Sequence, residues 1–231
     1  EVMDELVSKN PGYDVAYREL DPLTYEPELI NALAAGTGPD IFMFHSSWLP
    51  KHADKLSPIT LERLQIASLR DIFPAVVEQD FGPDSGLVYA LPLYMDTLAL
   101  IYNQNVFDGK GVALPPKTWI EFQNLVKQLR ETDRTGKLVR AAAAIGGSNR
   151  NINRATDILN ALMLQSGVGM VANDFSRATF VQGGLEPLNF YTKFANPANE
   201  FYTWSSSFKN SLESFAEEKT AMIFNYAYQI P

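Results

Sequence analysis

Apolar positions recur at helical spacing in the opening residues, where Val2, Met3, Leu6 and Val7 share one stripe that stops at Asn10, Pro11 and Gly12. Val15 and Tyr17 then alternate with polar neighbours as a strand does. Leu29, Ile30 and Leu33 mark a helix closing at Gly36. Ile41, Phe42, Met43 and Phe44 form the continuous apolar run of a parallel strand covered on both faces. Strand, helix and strand predict a right-handed crossover unit. Residues 49–83 read as helical and irregular, with Ile59, Leu61, Leu64 and Leu69 available for packing. Two extended segments follow, 88–91 and 98–102, on either side of Pro92. That is the pattern expected where a chain passes between lobes.

Beyond Asn103 the elements are more regular. Pro115 and Pro116 precede Thr118, and Thr118 with Glu121 forms a capping box. Phe122, Leu125, Val126 and Leu129 then give an apolar helix face. Residues 139–145 predict a strand running into the polar loop GGSNRNINR, and 156–166 a helix stopped by Gly167. Residues 185–194 and 208–217 predict two more amphipathic helices, the second leading into a strand at 221–224. There is no internal repeat and no low-complexity segment.

Three apolar stretches, PDIFMFHSSW, YALPLYMDTLALIYN and TAMIFNYAY, each place polar and aromatic side chains beside a predicted strand end. In open α/β sheets ligands bind beyond the carboxyl ends of the strands, so the pattern predicts a recognition cleft. Composition then narrows the class. A chain of 231 residues with 46% hydrophobic and 20% charged residues is globular, with room for one large or two small domains. A formal net charge of -8 opposes binding to a phosphate backbone. The one basic grouping, Lys127, Arg130, Arg134, Lys137 and Arg140, is broken by Glu131 and Asp133 and reads as a solvated helix end and turn. Cysteine is absent, which removes disulfides and thiolate chemistry, and no apolar run is long enough to span a bilayer as a helix.

Catalytic signatures are weak. Residues 167–172 match the dinucleotide fingerprint in letters but follow a helix, where that motif must follow a strand. His45 and His52 are the only histidines, without zinc-type spacing, and His45 is expected to be buried or hydrogen-bonded in place. No serine, histidine and aspartate arrangement suggests acyl transfer. Asp80, Asp84 and Asp96 keep a carbohydrate-active hydrolase with paired carboxylates open as the alternative. No catalytic residue, metal site or cofactor is expected.

The ordered segments AAGTGPDIF, YALPLYMDTLALIYN, PPKTWIEF and FAEEKTAM resemble the extracellular solute-binding proteins of bacterial ABC importers, in the group that includes the maltose-binding protein. The resemblance runs from the first helix to the end of the chain. It implies a periplasmic-binding-protein-like α/β fold of type II, with two lobes joined by a hinge. Residues 1–95 would form lobe 1 and 96–231 lobe 2, with the crossing near 92–98. It implies that the signal segment, the first strand of lobe 1 and the later part of lobe 2 are not in this chain. The expected activity is capture of a sugar or similar polar solute between the lobes and delivery to a permease. The protein would be a monomer, free in the periplasm or held by a lipid anchor at the outer face of the membrane.

Site by site, the resemblance points to Ser46, Ser47 and Trp48, to Asp96 at the crossing, and to Tyr228 as a stacking ring, with Tyr226 where the maltose-binding protein has glycine. The residues themselves support a sugar site, because sugars combine apolar C–H faces with a rim of hydroxyls. Trp48, Tyr94, Tyr226 and Tyr228 offer flat rings; Asp96, Asn149, Asn151 and Asn225 offer orienting polar groups. Asp96, as an ionised acceptor, is expected to be the main polar anchor.

Overall fold

The chain divides into two units, Glu1–Leu93 and Tyr94–Pro231. The computed structural model describes residues 2–22, 24–65, 68–82, 86–172 and 176–230; the side chains of Val2 and Met3 and the candidate carboxylate Asp84 lie outside the described residues.

In the first unit, helices α1 (Val2–Lys9), α2 (Tyr25–Ala34), α3 (Leu49–His52) and α4 (Ala75–Phe81) are separated by long irregular stretches. Helix α2 ends as expected at Gly36, whose φ of +71° suits a residue without a side chain. Leu29, Leu49, Leu69, Val77, Phe81 and Val88 are buried. Strand pairing is confined, among the described residues, to β1 (Ile59–Thr60) against β2 (Leu87–Val88), antiparallel with Ile59 opposite Val88.

The two strands expected at Val15 to Tyr17 and at residues 41–44 do not form. Tyr13 and Tyr17 are exposed in irregular chain, and Ile41 is 88% exposed. A parallel strand needs neighbouring strands to satisfy its amides and helices over both faces. Neither surrounds residues 41–44 among the described residues, so the expected crossover unit is absent and the apolar run stays unpaired. The segment expected to be extended over 88–91 contracts to β2.

The second unit is built on a mixed four-stranded sheet in the order β3 (Leu98–Tyr102), β6 (Thr220–Tyr226), β5 (Leu138–Ala143), β4 (Glu131–Thr132). Strand β3 runs antiparallel to β6 and β5 runs parallel to it. A parallel neighbour demands a crossover. It is supplied by α7 (Ala155–Gln165), α8 (Leu185–Thr192) and α9 (Ser211–Ala216), while α5 (Gln104–Gly109) and α6 (Trp119–Leu129) precede β4.

Helix α6 forms where its signals place it. The Glu121 amide donates to Thr118 Oγ1 at 3.2 Å. The Glu121 carboxylate reaches back one residue further than the standard box, accepting from the Lys117 amide at 2.7 Å. Its apolar face carries Phe122 to Phe224 of β6 and to Phe194, with ring centroids 5.6 Å and 5.5 Å away. The alanines of β5 are fully buried, and that small-residue surface lets the helix approach the sheet closely.

The basic grouping is more engaged than a solvated turn. Arg130 donates to the Tyr202 carbonyl at 2.7 Å, and Arg140 pairs with Glu131 at 2.9 Å across the β4–β5 register.

Candidate functional site

Sheet direction in the second unit brings three chain segments to one edge. Strand β3 begins at Leu98 opposite Tyr226, where β6 ends, and β5 ends at Ala143 beside Met222. The residues just before β3, just after β6 and just after β5 therefore share the carboxyl edge of the parallel pair. Asp96, the segment 226–228 and the loop 146–154 are those residues.

Asp96 holds the turn after β6. Its Oδ1 accepts from the amides of Thr97 at 2.7 Å and Ala227 at 2.9 Å, and its Oδ2 accepts from the Tyr228 amide at 3.2 Å. Three of roughly four lone-pair positions are occupied by backbone donors, which leaves room for one further donor. The Ala227 amide also donates to the Thr97 carbonyl at 3.2 Å.

The two tyrosines that this turn presents are unlike. Tyr228 is 62% exposed, whereas Tyr226 is half-buried, and their centroids lie 6.5 Å apart. Arg154 lies against both: its guanidinium carbon sits 4.4 Å from the Tyr226 centroid, and its Nη2 donates to the Tyr228 hydroxyl at 3.2 Å. Asp157, one helical turn on, lies 4.0 Å from Arg154 Nη1. Burial and Asp157 push the Tyr226 phenol above its ordinary acidity value. The Gln229 side chain and Arg154 pull the Tyr228 phenol below its own. The sequence reading does not single out Arg154. The available signal is its place as the last residue of a polar loop between a strand end and an apolar helix.

The asparagines occupy three different settings. Asn149 is exposed in the loop after β5. Asn151 is spent on the fold: its Nδ2 donates to the carbonyls of Ser205 and Phe208 at 3.2 Å each, and its Oδ1 accepts from the Trp204 indole at 3.2 Å. Asn225 is 1% exposed inside β6, with its Oδ1 accepting from the Tyr226 amide at 2.9 Å. Its Nδ2 is buried without a partner among the described residues.

A cavity of about 750 Å³ opens beside the same loop, lined by Ser148, Arg150, Asn151, Trp204, Phe208 and Lys209 among others. Gly146 and Gly147 allow the loop to turn here. A Cβ on Gly146, whose φ is +93°, would stand 2.7 Å from the Ala195 amide nitrogen, and one on Gly147 would stand 2.9 Å from the Trp204 ring.

The remaining candidates belong to the first unit or to the join. His45 caps a short 3₁₀ turn, Ser46–Trp48, its Nδ1 accepting from the Ser47 amide at 3.2 Å and lying 2.7 Å from Ser47 Oγ. Trp48 is half-buried in an aromatic cluster, stacked on Tyr25 at 6.0 Å and edge-on to Phe44 at 5.8 Å. Tyr25 donates to the Met43 carbonyl at 2.8 Å, which ties α2 to the unpaired segment. Ser46 is half-buried, and Ser47 is exposed. Tyr94, at the first position of the second unit, is 77% exposed. The structure thus gathers Asp96, Tyr226 and Tyr228 at one edge, with the loop carrying Asn149 and Asn151 at that same edge. Ser46, Ser47 and Trp48 form a separate group in their own unit.

Residues 1–230 match the family described as bacterial extracellular solute-binding protein. A maltotriose-binding protein of Pyrococcus abyssi is 30% identical over 131 residues, 54% of this chain and 26% of that protein. An ABC transporter solute-binding protein of Thermotoga lettingae, solved with α-D-tagatose bound, superposes with a TM-score of 0.71 at 25% identity, covering 98% of this chain and 57% of that one. The sugar-binding protein MalE of Xanthomonas citri gives a TM-score of 0.75 at 22% identity over 99% of this chain and 57% of its own. The chain thus spans about a quarter of that curated relative and a little over half of the solved structures. Its α/β elements are part of the type II periplasmic-binding fold. With the family match running along nearly its whole length, the chain belongs to the bacterial extracellular solute-binding proteins.

Proposed function

We propose that this chain binds a neutral carbohydrate for uptake by an ABC importer, with residues 1–95 and 96–231 serving as its two lobes and 92–98 as the crossing. The observation that carries the reading is the edge of the second sheet. There Asp96 keeps one acceptor position in hand, and Tyr228 offers an exposed ring beside it. A flat ring for the C–H face and a fixed carboxylate for a hydroxyl are the two elements a sugar needs. Trp48, with Ser46 and Ser47, supplies a second recognition element in the first unit. The protein acts as a carrier rather than as an enzyme, working outside the cytoplasmic membrane and delivering its solute to a permease.

Charge supports a neutral solute over a phosphorylated one. Asp96 and Asp157 flank the tyrosines, and among the described residues Arg154 is the cation in contact with them. A dianionic phosphate brought against the two rings would meet two carboxylates and a guanidinium that is already engaged. The hydrolase reading has less support at this edge, because Asp96 spends three acceptor positions on the backbone amides that hold the turn.

Titration calorimetry on the whole protein tests the reading, with maltotriose, D-tagatose and glucose 6-phosphate as ligands. A neutral sugar is expected to bind, and Trp48→Ala and Asp96→Ala are each expected to weaken it by at least about tenfold, or about 1.4 kcal/mol. Wild-type affinity in both variants would overturn the site. Release of new reducing ends from an oligosaccharide would favour the hydrolase.

A further inference from the structure

We propose that Arg154 is the positioning residue of this site: it holds the Tyr228 ring in place for stacking and covers one face of Tyr226, so that the neighbouring tyrosines do different jobs. The assignment takes its ligand from the solute-binding reading above, but its geometry stands apart from that reading.

Three observations converge on the side chain. Its guanidinium lies 4.4 Å from the Tyr226 centroid, within the range of a cation–π contact, and a face covered in this way is closed to a sugar. Its Nη2 donates to the Tyr228 hydroxyl at 3.2 Å, which fixes the far end of a ring whose backbone end is already fixed by Asp96. Its own backbone is left-handed, with φ +68° and ψ +23°, at the N-cap just before α7. Glycine or asparagine would occupy that conformation at less cost. An arginine there gains nothing for the backbone, so the gain must come from the side chain. Its Nε is buried without a hydrogen-bond partner among the described residues, a further cost of holding this pose.

The planar fork matters as well as the charge. A guanidinium can lie flat on one ring while donating in its own plane to another group, which an ammonium cannot reproduce. The charged and titratable groups around the pair are Arg154, Asp96, Asp157 and the two phenols themselves, with Gln229 as a neutral hydrogen-bond partner. Removing Arg154 leaves Tyr228 facing Asp96 with one favourable neighbour fewer, so its phenol must become harder to ionise.

The test uses Arg154→Asn, which tolerates the left-handed backbone without the cation, and Arg154→Lys, which keeps the charge without the fork. Two readouts are taken on the whole protein. One is the titration of Tyr228, followed by NMR of ring-labelled tyrosine and assigned with Tyr228→Phe. The other is affinity for maltotriose and D-tagatose. In Arg154→Asn the Tyr228 titration is expected to rise towards its ordinary value of 10.0, and affinity to fall by about tenfold. Arg154→Lys is expected to keep part of the lowered titration and to lose roughly threefold in affinity. An unmoved Tyr228 titration in Arg154→Asn overturns the proposal whatever the ligand. A moved titration with unchanged affinity overturns it too, since the ring would then be held to no purpose. If the wild-type protein binds neither sugar, the carbohydrate reading fails, and the titration alone decides whether Arg154 positions Tyr228.

Discussion

Residues 41–44 and residues 221–224 read alike in sequence, each a run of apolar side chains after a helix, yet they have opposite fates. Ile41 and Met43 stand exposed in unpaired chain, whereas Met222 and Ile223 are buried in the middle of a sheet. The difference lies in what flanks them. Strand β6 has β3 on one edge and β5 on the other, and helix α6 brings Trp119 and Phe122 against Phe224. Residues 41–44 have neither edge satisfied among the described residues, and their contacts are aromatic ones, Phe42 with Phe44 and Phe44 with Trp48. An apolar run states a demand for burial; only partner strands turn it into a strand.

The same contrast extends to the cores. In the second unit one buried cluster joins α5, α6, α7, α8 and the central strands, with Phe107, Phe122, Phe194 and Trp204 as its largest fully buried side chains. In the first unit buried residues are few and sit between irregular stretches. The largest effect expected from this difference is a gap in mutational cost. Phe194→Ala should destabilise the second unit by about 3–5 kcal/mol, since Phe122, Phe190 and Phe201 surround a ring with no exposure. Leu29→Ala should cost the first unit about 2 kcal/mol, the low end for its type, because a sparse surrounding can collapse onto the gap. Amide exchange resolved by residue checks both, with the slowest amides expected in β5 and β6. An equal cost at Leu29, or equally slow exchange in α2, would break the comparison.

That comparison also explains what could be read from the sequence. Helix α6, strand β3, strand β6 and helix α7 are legible because their signals are local: a capping box, a stop glycine, an apolar period. The strands expected in the first unit fail because pairing is not local, and no residue within the run says whether a neighbour exists. At the candidate site the sequence marks the strand ends, and pairing joins them: β3 runs antiparallel to β6, so the residue before β3 stands beside the turn after β6, which places Asp96 with Tyr226 and Tyr228. The Asn225 side chain was open to the same reading, since alternation along β6 puts it on the opposite face from Phe224 and Tyr226. Arg154 is legible only once Tyr226 and Tyr228 are in place, because its role is set by contacts 72 and 74 residues away in sequence.

A second way to sharpen the contrast is to attack an interior polar contact of a kind that, among the described residues, belongs to the second unit. Strand β4 pairs with β5 only as far as Arg140, so the outer amides of β5 beyond that point need another acceptor. Thr203 supplies it: its Oγ1 accepts from Ala142 at 2.7 Å and from Ala143 at 3.3 Å, with no exposure to solvent. Thr203→Val keeps the shape and removes the acceptor. It should cost about 1–3 kcal/mol, the price of buried amides left unpaired. Chemical denaturation gives the loss, and faster exchange at Ala142 and Ala143 gives its place. A loss below about 0.5 kcal/mol would show that the strand edge finds another acceptor.

The smallest expected effect is electrostatic and belongs to the first unit. Glu26 on α2 accepts from Lys51 and, at 2.9 Å, from His52 on α3. These bonds hold its carboxyl below the ordinary value of 4.5, the Lys51 contact contributing most. A folded-state value lower than the unfolded one contributes stability above about pH 4.5 and loses it as pH falls through the folded value. The groups are partly exposed, so the effect on global stability is small. It should still be visible locally, because His52 lies edge-on to Trp48 at 6.5 Å and Tyr25, beside Glu26, stacks on the same indole. Acidification is expected to shift the Trp48 indole N–H resonance with a midpoint below 4.5. The indoles of Trp119 and Trp204, bonded to Gln165 and Asn151, should hold still. Glu26→Gln should abolish the Trp48 shift. If all three indoles move together, or if Trp48 moves equally in Glu26→Gln, then the first unit is not held by this ion pair. The contrast between a sheet-built unit and one fastened by surface contacts would then have to rest on burial alone.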